Sequence, residues 1–382
     1  MGERRYDIDW LRNLGILLLF PFHSARVFDY WDPFYVKSDE LSWGLSWFIA
    51  VTSYWFMPLL FWLAGSASWY ALERRSYRQY IKDRVNRLLI PLIFGVLIII
   101  PPQGYFAQLS HTGEAGNYFL FLKTFFTDFS DLSGYFGTFT PAHLWFILYL
   151  FVLSLAALPV FSFFRSRNVD KFNEVCSRPA VFLPLFILLA VTEALPSPGG
   201  QNPFFFYVLF VLGFVTSSQP SYQKMFNTVR GKGLIALFVL VPAWVVLLQL
   251  NQDGPVYPGV EIILTILRSF NVLLTLMVIL GYGHKFLNFN HRAIPYMNEA
   301  AFPVYILHQS VLVMIGYFIL KWNLGILPTF LIIMVLTFVM SLFIYEFVIK
   351  RIGILRWAFG VKVKPMKDKR GAAAYADISE KR

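Results

Sequence analysis

This sequence predicts an all-α polytopic integral membrane protein of about ten transmembrane helices with both termini cytoplasmic, and three observations predict it. The chain is 57% hydrophobic and only 14% charged over 382 residues, with a mean hydropathy of +0.57, too apolar for a soluble protein of that length. Apolar windows long enough to cross a bilayer recur along it. Lysine and arginine crowd every second loop, as the positive-inside rule requires.

The windows fall at about 11–28, 44–70, 86–107, 142–164, 179–195, 203–218, 233–250, 259–282, 297–320 and 327–349. Arg12 and Asn13 interrupt the first, and no small-residue cleavage site follows it, so it is expected to be retained and not removed as a signal peptide. The fifth and sixth are short and separated only by PSPGGQN, which reads as a tight hairpin. Positive charge collects at Arg4 and Arg5, in 74–87, at Arg165, Arg167, Lys171 and Arg178, at Lys224, Arg230 and Lys232, and at Lys285 and Arg292. The alternate loops, 29–43 and 108–141, carry Lys37 and Lys123 alone. Loop 108–141 is rich in aromatics and glycine, which suggests an ordered lid or re-entrant element. Residues 1–361 read as one transmembrane domain, and the charged stretch 362–382 as a disordered cytoplasmic tail.

The formal net charge of +11 invites a nucleic-acid partner, but its confinement to alternate loops is orientation chemistry and excludes that reading. Cys176 is the single cysteine, which excludes an intramolecular disulfide or a cysteine-based metal cluster. GxSxG, HExxH and P-loop patterns are missing, which argues against a serine hydrolase, a zinc protease or an NTPase. The histidines at 23, 143 and 308 have no short-range ligand spacing, so no metal is expected.

Ionisable residues within apolar segments are costly in lipid and mark functional positions. Arg12 and His23, eleven apart, are separated by about 20° past three full turns, so a continuous helix puts them on one face roughly 16 Å apart. Arg12 snorkelling to headgroups and His23 packed as a core histidine are the bland alternatives. Tyr305 and His308 share a face of the ninth window, and Glu261 and Arg268 a face of the eighth, where a structural ion-pair network would serve equally well. His143 and Trp145 stand at the outer mouth of the fourth, more as lining or cap than as catalysts. Histidine is the natural general base near neutral pH. In ERRSYRQYIKDRVNRLLIP, Arg84 and Arg87 lie three apart on a helix entering the membrane, suited to phosphate groups, while Arg74, Arg75 and Arg78 serve orientation.

Five short motifs in order, DIDWLRNLGILLLFPFH, FWLAGS, DRVNRLLIP, HLWFILYLF and FPVYILHQSVL, resemble the acyltransferase family 3 membrane proteins over residues 6–320. GILLLFPFH and HLWF are most similar to the branch containing the periplasmic-glucan succinyltransferase. The resemblance makes FWLAGS a small-residue turn. It implies an acyl-CoA-dependent O-acyltransferase of the plasma (inner) membrane, moving an acyl group, acetyl or succinyl, to a hydroxyl of a carbohydrate or cell-envelope glycan outside. Carried over, Arg12 and His23 are the essential pair, and Arg84 and Arg87 contact the coenzyme A phosphates. Arg268 or Tyr305 would stabilise the oxyanion, and no permanently bound cofactor is implied. A transporter or flippase of an envelope precursor is the competing reading, and homo-oligomerisation stays open.

Overall fold

Helices account for all regular structure among the described residues, which in this computed structural model are 4–362 apart from 168, 252–253 and 255–257. The expected tail lies outside them beyond Lys362. The chain runs through α1 (Tyr6–Ala25), α2 (Trp43–Glu73), α3 (Tyr77–Thr112), α4 (Tyr118–Thr127), α5 (Ala142–Ala156), α6 (Leu158–Ser166) and α7 (Asp170–Cys176). It continues through α8 (Pro179–Glu193), α9 (Pro203–Thr216), α10 (Pro220–Leu250), α11 (Val260–Leu287), α12 (Ile294–Trp322), α13 (Ile326–Ile349) and α14 (Gly353–Ala358).

Among the described residues six helices, α2, α3, α10, α11, α12 and α13, are long and apolar enough to cross a membrane, and eight spans result if the bent pairs α5–α6 and α7–α8 each count as one. By length and composition alone the described residues thus give six to eight spans where about ten were expected. The difference lies in α1, whose Asp7, Asp9 and Arg12 dilute its apolar run, and in α9, which has only 14 residues. The multi-pass all-helical class stands.

Local chemistry sets the boundaries. Ser42, Ser76 and Asn117 cap α2, α3 and α4 by accepting from backbone N–H groups of the first turn. Gly113, at φ 77°, ends α3 in the left-handed region that glycine adopts without strain. Asn202 caps α9 and also donates to the Thr192 carbonyl at 2.7 Å, which closes the predicted α8–α9 hairpin.

FWLAGS is not a turn; it lies inside α2, where its small residues admit α9. A Cβ on Gly65 would stand 1.9 Å from the Phe210 carbonyl oxygen, and one on Gly213 would stand 2.0 Å from that of Trp62. The Ser66 hydroxyl donates across the same contact to the Gly213 carbonyl at 3.1 Å. Small residues at helix crossings are what membrane packing demands, since lipid supplies no hydrophobic drive between helices. α2 and α12 are mostly buried in the bundle, while α10 and α13 turn most of their surface outward, as with Ile235, Phe238 and Val239.

At the basic end, α14 folds back under the bundle. Arg356 is buried and donates to Glu299 Oε1 at 3.2 Å and twice to the Lys362 carbonyl, at 3.1 and 2.6 Å, while Tyr345 also donates to Glu299, at 3.0 Å. Gly360, at φ 67°, brings its backbone against Arg87, whose carbonyl oxygen would lie 3.1 Å from an added Cβ.

Gly65→Ala is expected to lower stability by at least about 2 kcal/mol, because the clash is with backbone and cannot relax by a rotamer change. Gly231→Ala, with nothing within 4 Å of the new methyl, should be neutral or stabilise by up to about 1 kcal/mol. Thermal unfolding of the detergent-purified variants reads both. Arg356→Ala strands the Glu299 carboxylate and the Lys362 carbonyl and should cost roughly 1–3 kcal/mol, visible as faster proteolysis within 350–362; an unchanged cleavage rate would refute the anchoring role of that side chain.

Candidate active site

Two polar layers cross the apolar seam between α1 and α12. In the first, near the α1 N-terminus, Arg12 donates to Asn298 Oδ1 at 2.7 Å and to Asp9 at 3.1 Å, and Asn13 donates to the same Asn298 oxygen at 2.8 Å. In the second, the His23 and His308 rings lie 5.1 Å apart. Arg12 pairs with 298 and His23 with 308, so the two helices run parallel. Eleven and ten residues separate the layers on the two helices, which at 1.5 Å per residue is about 15–16 Å of depth. The expected common face of Arg12 and His23 is thus the face turned to α12. Arg12 is therefore not a lone charge.

A third imidazole joins the deeper layer. His143 lies 4.9 Å from His308, centroid to centroid, and Tyr305 packs against both, at 5.6 and 5.7 Å. Ala142 presents it from a left-handed conformation at φ 46°, rare for a residue with a Cβ. Three hydrogen bonds hold that conformation: Ala142 N–H to Thr140 Oγ1 at 2.9 Å, His143 Nε2–H to the Ile306 carbonyl at 3.0 Å, and the Tyr305 hydroxyl to the His143 carbonyl.

These contacts assign ring protons. His308 Nδ1 faces the Tyr305 carbonyl at 2.5 Å, and a carbonyl can only accept, so Nδ1 carries the hydrogen and Nε2 the lone pair. By the same reasoning His143 carries its hydrogen on Nε2 and its lone pair on Nδ1. Those two lone-pair nitrogens and His23 Nδ1 are all buried without a hydrogen-bond partner among the described residues. A buried unpaired acceptor is costly; the two assigned lone pairs and the His23 ring, joined through His308 at 5.1 and 4.9 Å, form a cluster suited to taking a proton from a hydroxyl.

The other sequence candidates divide. The Tyr305 hydroxyl is committed to a backbone carbonyl, and Arg268 is committed to Glu193 Oε2 at 2.8 Å on α8, with Ser269 supporting the same carboxylate at 3.2 Å. Tyr305, with its single hydroxyl hydrogen so used, is therefore no spare oxyanion donor, while Arg268 is held toward α8. Glu261, one face with Arg268 along α11, lines with Glu193 an apolar groove of about 600 Å³ between α8 and α11. That groove is built by other helices than the histidine layer. Trp145 packs into the aromatic core on Phe61 and Phe206, at 6.1 and 5.4 Å. At the basic end, Arg84 lies over the Tyr80 ring and donates to Ser68 Oγ at 2.9 Å, while Arg87, one turn on, is exposed and makes no hydrogen bond or ion pair with a described residue.

Sequence reasoning missed four residues. Asn298 anchors Arg12; Gln103, buried with an unpartnered amide nitrogen, accepts from Ser310. Arg26 and the fully buried Asp29 pair at 2.7 Å beside Phe34, whose ring stacks on His23 at 6.3 Å. Gln103 was detectable as an amide inside an apolar window and Arg26–Asp29 as an i, i+3 pair of opposite charge; Asn298 required the tertiary pairing.

A family model described as an acyltransferase domain matches residues 5–346. The chain is 25% identical to the glucans biosynthesis protein C of Salmonella paratyphi B, over 97% of this chain and 98% of that protein, and equally so to the proteins of the same name from Salmonella enteritidis and Salmonella typhi. No solved structure matches. With the family model covering nearly all of the bundle, the chain belongs to the acyltransferase family 3 of membrane transferases.

Proposed function

We propose that this transferase moves an acyl group, acetyl or succinyl, from acyl-CoA at the arginine-rich end of the bundle to a hydroxyl of an envelope glucan at the other end. The observation that carries the reading is the buried meeting of His23, His143 and His308, with three unpartnered ring nitrogens. The names of the relatives, glucans biosynthesis protein C, support a glucan as the acceptor. Confinement of lysine and arginine to alternate loops supports cytoplasmic termini and an inner-membrane location.

On this reading Arg84 and Arg87 grip the phosphates of the donor, as guanidinium forks do, and the thioester arm reaches past Arg12 to the histidine layer. His23 takes the proton from the acceptor hydroxyl as its oxygen attacks the thioester carbonyl. The tetrahedral intermediate collapses by breaking the carbon–sulfur bond, and the departing thiolate takes that proton, so an ester and free coenzyme A leave and the imidazole returns neutral. His143 and His308, each held by a backbone carbonyl, fix the position of His23 and offer the acceptor a second lone pair.

Purified protein given acyl-CoA and a linear glucan should release coenzyme A thiol only when both are present. His23→Ala should lower kcat by roughly 10²–10⁴-fold with the unfolding temperature unchanged, and full activity in that variant would overturn the base assignment. Glucan movement across a vesicle membrane with no thiol release would replace the transferase reading by a transporter. Arg87→Ala should raise KM for acyl-CoA roughly tenfold or more while kcat at saturation holds; an equal loss in KM for the glucan would count against phosphate contact.

A further inference from the structure

The loop from residue 26 to residue 42 leaves the end of α1 immediately after His23. Its Phe34 ring lies near-parallel to the His23 imidazole, 6.3 Å away, and the Arg26 guanidinium sits over Phe34 at 5.7 Å. Further out, the Tyr30 and Trp43 rings are 4.4 Å apart with their planes 18° from parallel, and Trp47 follows Trp43 at 6.5 Å and 28°. Tyr30 and Trp43 remain 44% and 46% exposed.

Two features separate these rings from ordinary interfacial aromatics. They are rigidly mounted: Asp29, fully buried, receives Arg26 at 2.7 Å and Lys37 at 2.6 Å. The Tyr30 N–H donates to Ser46 Oγ at 3.0 Å, Ser46 Oγ donates to the Ser42 carbonyl at 2.9 Å, and the Ser42 N–H donates to the Phe28 carbonyl at 2.8 Å. Little ordering cost is left for a ligand to meet. The rim is also anionic. Asp32, Asp39 and Glu40 are exposed, while the loop's single lysine is occupied by Asp29, with burial pushing its ammonium below the ordinary lysine range. Headgroup anchors of a membrane protein pair aromatic rings with lysine and arginine toward anionic lipid; carboxylates there repel it.

We propose that Tyr30 and Trp43, with the carboxylates of Asp39 and Glu40, form a sugar-binding subsite that holds a ring of a neutral, polyhydroxylated acceptor on the loop that lays Phe34 on His23. A pyranose has an apolar C–H face that lies on an aromatic ring and equatorial hydroxyls at its edge that donate to carboxylates. The inference rests on the carbohydrate-acceptor reading above and deepens it, since it names where the chain engages that acceptor.

The test titrates the full-length protein in nanodiscs with a neutral linear gluco-oligosaccharide, without donor, and reads tryptophan fluorescence and calorimetric heat. Trp43→Ala and Tyr30→Ala should each weaken oligosaccharide binding and raise the acceptor KM roughly tenfold, with the acyl-CoA KM and the kcat at saturation unchanged. Trp43→Tyr should restore most of the affinity. Unaltered affinity in both alanine variants, or no oligosaccharide binding by the unmodified protein, overturns the subsite. A Trp43→Ala variant that keeps its sugar affinity but loses retention on vesicles of anionic lipid also overturns it, in favour of a headgroup anchor. If the unmodified protein binds the oligosaccharide through Trp43 but never acylates it, the subsite stands and the transfer reading fails.

Discussion

Polar groups placed in the apolar interior of this bundle are costly unless something takes them up, and that cost shapes the molecule around the α1–α12 seam. Isolated in lipid, an arginine or a histidine is expensive. Here Arg12 is taken up by Asn298 and Asp9, and His23 packs against His308. The two pairs lie ten and eleven residues along parallel helices, so one seam fixes the spacing of the chemistry through depth. Parallel α1 and α12 must be joined by an odd number of crossings.

The two ends of the seam are then built differently. At the basic end the packing is ionic and comes from distant parts of the chain: Glu299, beside Asn298, is bound by Arg356 and Tyr345, and Gly360 presses on the backbone of Arg87. Arg12 and Arg87 are thereby braced by the same C-terminal fold, although 75 residues separate them in sequence. At the other end the packing is aromatic, with Phe34 over His23 and the stretch 108–141 tied down by the Tyr35 hydroxyl on the Ser133 carbonyl at 3.1 Å and by His111 on the Phe34 carbonyl at 2.9 Å. The expected ordering of that long loop follows from these bonds.

What could be read from sequence was whatever depends on period and length. The apolar windows were legible because a bilayer demands runs of fixed length, and the shared face of Arg12 and His23 because a helix turns by a fixed angle. The failures have tertiary causes. Glu261 and Arg268 do share a face of α11, but the partner of Arg268 is Glu193, supplied by α8, which periodicity along one helix cannot reveal. The resemblance made FWLAGS a turn; here glycine is present to let the α9 backbone within contact of α2. Trp145 was placed at a mouth from its sequence position, yet its ring belongs to the aromatic core around Phe61.

His143 marks the limit of such reading most clearly. Its arrival beside His308 depends on Ala142 holding a left-handed backbone, which costs an L-residue about 1–2 kcal/mol. Such strain persists only where surrounding contacts over-determine it, and three hydrogen bonds do so, from Ala142 N–H, His143 Nε2 and the Tyr305 hydroxyl. At about 0.5–1.5 kcal/mol each, they are enough to offset the strain. The same bonds also fix which nitrogen of His143 bears the hydrogen, leaving Nδ1 as an acceptor. A relaxed backbone at 142 would turn the ring and surrender that assignment. The strained residue and the oriented lone pair are therefore one feature, in which conformational energy is held to keep an imidazole in a defined protonation geometry beside two others.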